Sequence, residues 1–161
     1  MLIRKGTKED SEECLKLFEL DNEKYWEISD FRSSAKHADV IFLVAEEDGR
    51  IVGYILGFII PTKRNEATIH ETRVHKKERL REIGTKLVDA FCSEAFARGA
   101  TEVEAEVAPK HLKFYRDACN FKELHKWIEV GRKKCAPRVK RTENTDKNNL
   151  KNEISGFAEK L

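Results

Sequence analysis

A chain of 161 residues with evenly spread apolar content suits a single folded core rather than a disordered polymer. Charged residues make up 37% of it, yet 31 Lys+Arg against 29 Asp+Glu leave a net charge of +2, so the overall field gives no argument for nucleic acid or a membrane surface as partner. No apolar run approaches the ~20 residues of a membrane span, and no apolar leader segment opens the chain, so we expect a cytoplasmic protein.

Leu2 to Lys5 predicts a short first strand. Thr7 offers a helix N-cap with Asp10 in the first turn, and Cys14, Leu17 and Phe18 fall on one helical stripe. Residues 21–39 predict a second, more polar helical region carrying Tyr25, Trp26, Ile28 and Phe31. Val40 to Ala45 is a continuous apolar run, as in a strand buried on both faces. Asp48-Gly49 is a hairpin signal, and Ile51 to Ile60 is the returning strand. Ala67 to Val74 completes a three-strand meander and is polar in its middle (Thr68, His70, Glu71, Thr72, Arg73), so those groups must be satisfied or used.

The next stretch dominates the reading. Lys76, Lys77, Arg79 and Arg81 crowd a short turn, and a helical pattern follows at once, with Ile83, Leu87, Phe91 and Ala95 on one face. A helix start has amides without internal partners and a partial positive charge. A strand, a basic turn and a fresh helix N-terminus together predict a pyrophosphate site. That helix should stop at Arg98-Gly99. Glu102 to Val107 alternates as a strand with one acidic, wet face, His111 to Cys119 reads as a helix with Tyr115 on its buried stripe, and Asn120 suits a left-handed stop. Phe121 to Val130 reads as a further strand. Beyond Gly131 the chain turns basic (Arg132 to Arg141), with room for one short last strand. It then becomes polar, and an amphipathic helix from Leu150 to Leu161 would suit a homodimer. The cysteines Cys14, Cys92, Cys119 and Cys135 lack metal-knuckle spacing, and no metal is expected.

Three stretches resemble the GNAT superfamily of acyl-CoA-dependent N-acetyltransferases: Ile51 to Gly57, Val74 to Val88, and Phe114-Tyr115 with Asn120-Phe121. The resemblance implies an α/β (α+β) fold with a mixed, mostly antiparallel central sheet flanked by helices, here with an extra C-terminal helix. It covers residues 1–130 as a GNAT-like domain and leaves residues 131–161 as a basic segment and terminal helix. It implies acetyl-CoA as co-substrate and an amine acceptor, with pantetheine along the strand at Thr72 and Val74 and the phosphates on Arg79, Leu80, Arg81, Glu82, Ile83, Gly84 and Thr85. It further implies Tyr115 as the acid that protonates the leaving thiolate. The base is open between His70 and Glu71. His70 lies on Val74's side of a regular strand and Glu71 on the other, unless a β-bulge intervenes. The sequence departs from the family pattern at Glu82, where the motif has Gly, at Asn120, again for Gly, and in a Tyr115-to-Phe121 spacing one residue longer than usual.

Two other functions compete with an N-acetyltransferase. One is a GNAT-like module that binds acyl-CoA or a protein partner with little catalysis. The other is a nucleic-acid adaptor working through the basic segment, which the near-neutral charge disfavours. The acidic alternation Glu102, Glu104, Glu106, with Glu27 and Asp30, would attract a cationic acceptor or serve as a solvated face.

Overall fold

The computed structural model describes residues 1–21, 23–60, 62, 65–79, 81–124, 129–130, 133–134 and 138–143. Strand β1 (Leu2–Lys5) leads through a 3-10 turn into α1 (Ser11–Glu19) and α2 (Ile28–Ser34). The meander β2 (Val40–Glu47), β3 (Arg50–Ile59) and β4 (Glu66–Val74) follows, then α3 (Ile83–Ala97) and β5 (Glu102–Glu106). The last described elements are a π-helical turn (Phe114–Ala118), β6 (Lys122–Glu123), β7 (Glu129–Val130), β8 (Lys133–Lys134) and β9 (Arg138–Thr142). Seven strands form one sheet in the order β1-β2-β3-β4-β5-β9-β6, antiparallel except for β4 against β5. This is the mixed, mostly antiparallel sheet expected from the sequence. Among the described residues no helix is long and apolar enough to cross a membrane.

Local rules account for most of it. Thr7 and Asp10 form a capping box at the first helical turn, and Arg4 clamps the same carboxylate at 2.8 Å from β1. Asp48 (φ 51°) and Gly49 (φ 74°) both take the left-handed conformation that a two-residue hairpin demands. Apolar residues on both faces of the meander divide into two layers. Ile55, Ile69, Leu87, Phe91 and Val103 pack on the α3 side, and Phe18, Phe31, Phe42, Tyr54 and Leu56 pack on the α1/α2 side.

Four expectations need correction. The helical region at 21–39 is helical only over Ile28–Ser34, because Asp21, Glu23 and Tyr25 in the preceding connection bond across to β4 and its following turn. The helix expected at 111–119 is present but irregular, a 3-10 turn (Pro109–His111) passing through Leu112 and Lys113 into the π turn, so Ala118 is exposed while Tyr115 and Cys119 are buried. The strand at 121–130 is two separate pieces. Lys122–Glu123 stay in the main sheet, whereas Glu129–Val130 pair with Lys133–Lys134. The basic segment does supply the short last strand that the sequence left room for, and its place corrects the reading of the acidic face. β9, from the basic segment, lies between β5 and β6 and faces the acidic alternation in register, with Lys140 Nζ 2.9 Å from Glu102 Oε1. The acidic strand is therefore no freely solvated face: opposite charges on neighbouring strands stabilise the pair. Arg141 on β9 is buried, pairs with Asp89 of α3 at 2.6 Å and donates to the Cys119 carbonyl at 3.2 Å, so it is part of the core and not of a nucleic-acid surface. The amphipathic stretch at 150–161 lies outside the described residues.

Candidate active site

The site begins with one extra residue. Across β3 and β4, Gly57 faces Ile69 and Leu56 faces Glu71, so His70 is bulged out of the ladder. A bulge reverses which side the following residues face. Ile69 packs with the α3 layer, but Glu71 stands opposite Leu56 of the α1/α2 layer, and Thr72 stands opposite Ile55 of the α3 layer. Beyond the bulge β4 also parts from β5: pairing runs from Glu66↔Glu102 to Ile69↔Ala105, while β4 continues to Val74. Glu71 to Val74 thus present a β4 edge with no strand partner on the β5 side among the described residues. A linear molecule can add to such an edge as a further strand.

At the end of that edge His75 donates its amide to the Val52 carbonyl at 2.9 Å, and a 3-10 turn over Lys76–Glu78 leads to α3. The first helical bond of α3 is Lys86 N–H to the Glu82 carbonyl at 3.0 Å. The amides of Ile83, Gly84 and Thr85 therefore lie outside the helical ladder, the N-cap Glu82 side chain does not cap them, and the first turn carries no acid. Gly84 lets the helix start lie close to the π turn, since a Cβ there would sit 3.2 Å from the Phe114 ring. Arg79 donates Nε–H to the Val74 carbonyl at 3.2 Å and pairs with Asp21 at 3.2 and 3.3 Å. Arg81 is turned toward Glu47, at 2.8 and 2.9 Å, and Glu78. Leu80 lies outside the described residues.

Glu82 is the oddity of this turn. It is the N-cap of α3 at φ 60°, ψ 9°, a left-handed conformation that glycine takes freely and other L-residues only at a cost of ~1–2 kcal/mol. The exposed Glu82 carboxylate also opposes any anion at the turn. Glu82→Gly should raise stability by about 0.5–1 kcal/mol, net of glycine's larger unfolded-state entropy, or roughly 1–4 °C in Tm. It should tighten coenzyme A binding roughly threefold by removing one like charge. Calorimetric titration and a thermal melt check both, and an unchanged melt would mean that Glu82 is unstrained.

Tyr115 comes to the α3 side of β4, with its hydroxyl 3.2 Å from Thr72 Oγ1. The π turn explains how. Cys119 N–H reaches the Phe114 carbonyl at 3.2 Å, a five-residue step that takes up the one-residue surplus between Tyr115 and Phe121. Asn120 at φ 57° then reverses the chain, and Phe114 and Phe121 flank the Tyr115 ring edge-to-face at 5.2 and 5.4 Å. Burial pushes the Tyr115 hydroxyl up to about 12, with Thr72 opposing, so at neutral pH it is a proton donor. Glu71 is buried on the other face. Its Oε1 accepts from the Tyr25 hydroxyl at 2.6 Å, and its Oε2 lies 3.1 Å from Arg73 Nε, a charge contact whose angle is too poor for a hydrogen bond. His70, exposed at the bulge, rests 5.6 Å from the Trp26 ring. The structure thus sets Thr72 and Tyr115 on one side of the open edge and Glu71 on the other, with the anion turn at its end.

Sequence reasoning missed the network that holds Glu71. Arg73 bonds Glu23, lies 3.7 Å from Asp21 and covers the Phe18 ring at 5.4 Å. Tyr25 joins Glu71 and Glu23. The Tyr25–Glu71 and Arg73–Glu23 contacts close over 46 and 50 residues of sequence, so local pattern carries no sign of them. The one available signal was the polarity of β4.

Comparison with known proteins agrees with this geometry. A profile described as "Acetyltransferase (GNAT) family" matches residues 9–121. Two curated relatives named L-2,4-diaminobutyric acid acetyltransferase are similar over shorter stretches: that of Virgibacillus pantothenticus is 34% identical over 70 residues, 44% of each chain, and that of Nocardia farcinica 31% identical over 67 residues, 42% of this chain and 35% of the relative. The match thus spans less than half the length of these curated relatives. Among solved structures, an aminoglycoside 6′-N-acetyltransferase complexed with coenzyme A superimposes with a TM-score of 0.74 at 15% identity, covering 88% of this chain and 97% of the other. A ribosomal-protein-alanine N-acetyltransferase from Brucella melitensis gives 0.72 at 20% identity, covering 88% and 99%. Likeness at that identity speaks for the fold alone.

Proposed function

The chain belongs to the acetyltransferase (GNAT) family, and on that premise we propose that it moves an acetyl group from acetyl-CoA to a primary amine by direct attack in a ternary complex. The observation that carries this reading is the unpaired β4 edge with an anion-ready helix start at its end and different chemistry on its two faces. Pantetheine lies along Thr72 to Val74. The diphosphate takes the amides of Ile83 to Thr85, with Arg79 within reach and Arg81 and Glu82 in the same turn. Holding two reactants at one point supplies much of the rate.

The proton inventory is simple. The acceptor enters as an ammonium and gives one proton to Glu71, the buried carboxylate on the face opposite Tyr115. The free amine forms the C–N bond, the C–S bond breaks, the nitrogen's second proton passes to solvent as the amide forms, and the sulfur leaves as a thiolate that solvent protonates on release. Tyr115 donates to that thiolate across from Thr72. A thiol's ordinary pKa of about 8.5 lies below that of Tyr115, so the contribution is a hydrogen bond in the transition state more than a completed transfer. His70, exposed against Trp26, lines the acceptor mouth. Tyr115→Phe should therefore lower kcat by roughly 10- to 100-fold and leave the affinity for coenzyme A within about twofold. An unchanged kcat would assign the proton to water.

The acceptor is a small cationic amine, in keeping with the α-amino acid diamine in the names of the curated relatives and with the carboxylates Asp21, Glu23 and Glu71 on that side. The reaction is assigned to the cytoplasm, a reducing compartment that suits the buried thiols of Cys14 and Cys119. Release of coenzyme A measured with L-2,4-diaminobutyrate, spermidine and an alanine-terminated peptide tests the whole proposal. Glu82 in the phosphate turn favours a second reading, a binding module. Tight coenzyme A binding without turnover on any amine would select it.

A further inference from the structure

Glu71 has both oxygens covered: Tyr25 takes Oε1 and Arg73 stands against Oε2. The two covers differ in how easily they move. Arg73 is anchored, with its side chain 14% exposed, Glu23 bonded to it and Phe18 beneath it. Tyr25 is 63% exposed and sits outside any helix or strand, in the connection between α1 and α2. Its hydroxyl has a mismatch in its bonding. It lies 2.6 Å from one carboxylate oxygen, on Glu71, and 3.0 Å from another, on Glu23, and has a single proton to give. Only one carboxylate can receive it. An alkylammonium in the same place has three protons and a full charge.

The geometry points to Tyr25 as a place-holder: its hydroxyl occupies the seat of the acceptor's ammonium, and the acceptor must displace it from Glu71 to react. This rests on the acetyltransferase reading above and deepens it. The arriving ammonium bonds Glu71 and Glu23, the exposed tyrosine side chain turns outward, and the proton shed before attack stays on Glu71. The device also selects by chemistry. A neutral hydroxyl acceptor brings one proton, as Tyr25 does, and gains nothing by the exchange, whereas a cationic amine does. The same exchange keeps the base covered until an amine arrives.

Tyr25→Phe tests this and keeps the ring that stacks edge-to-face on Phe18 at 4.9 Å. With no bond to Glu71 to displace, the acceptor's KM should fall roughly three- to tenfold while kcat changes less than twofold. Coenzyme A affinity should not move. A KM that rises would make Tyr25 a direct acceptor ligand, and an unchanged KM would make it packing; either overturns the proposal. A second measurement needs no turnover. The chain has three tyrosines, so Cζ-labelled tyrosine gives a countable NMR spectrum, assigned through Tyr25→Phe. Titration of the coenzyme A complex with ethylenediamine at neutral pH should move the Tyr25 resonance, and a Tyr25 signal still at saturating amine overturns the exchange. Glu71→Gln separates the two levels. If that variant keeps the wild-type rate, the assignment of the base fails, while the NMR titration still decides whether an ammonium displaces Tyr25.

Discussion

Glu71→Gln is expected to lower kcat/KM for the amine acceptor by about 10²- to 10⁴-fold at neutral pH, the usual range for loss of a positioned base. The substitution is nearly isosteric, and the amide oxygen can still accept from Tyr25, so the loop over the site keeps its tie. Arg73 loses one of its carboxylate neighbours but keeps Glu23 and Asp21. The stability cost should accordingly stay near 1 kcal/mol, below the 3–5 kcal/mol of a buried charge left wholly unpaired. Coenzyme A affinity should change less than twofold, since Glu71 faces away from Thr72 and the anion turn. The pH dependence has a definite sign. An alkyl amine of pKa about 10 loses its own proton as pH rises, so the need for a base fades and the deficit should shrink steadily between pH 7 and 10. A full neutral-pH rate in Glu71→Gln, with a collapse in His70→Ala, would move the base to the bulged histidine.

The sequence made the scaffold readable where structure is set locally. The Asp48-Gly49 turn, the α3 stripe, the Gly99 stop and the left-handed Asn120 all follow from residues within a few positions of one another. It was less readable where a choice depended on register. Period two put His70 on the side of Val74 and Glu71 opposite; a single bulged residue turned His70 toward Trp26 and left Glu71 opposite Val74, since strand patterns hold only while the ladder is regular. The longer Tyr115–Phe121 spacing was visible as a number, but that a π turn would absorb it depended on the Tyr115 ring fitting between Phe114 and Phe121. The basic segment looked like an appendage because its partner Asp89, to which Arg141 pairs, lies 52 residues earlier. Tyr25 was hidden for the same reason: it is a functional candidate through what it touches, not through its neighbours in sequence.

Gly57→Ala is expected to destabilise the fold by about 3 kcal/mol or more, and to abolish activity where the protein still folds. A Cβ at Gly57 would lie 2.1 Å from the Thr68 carbonyl oxygen and 2.7 and 2.8 Å from the Phe91 ring. The ring can tilt, but the carbonyl belongs to β4 and can move only if the strand does. Gly57 pairs with Ile69, the last residue before the bulge, so β4 would shift where His70 is extruded and Glu71 changes face. The same substitution at Gly49 separates sterics from backbone conformation. Gly49 has φ +74°, and a methyl added there would meet nothing within 4 Å, so Gly49→Ala costs only the left-handed penalty, ~1 kcal/mol. At roughly 2–4 °C per kcal/mol for a chain of this size, the melts should differ by several degrees, with Gly57→Ala the lower. Comparable melts for the two would show that β4 yields at the bulge without cost. The open edge would then be a compliant feature of the sheet, and the placement of Glu71 would no longer follow from the close packing of glycine, strand and α3.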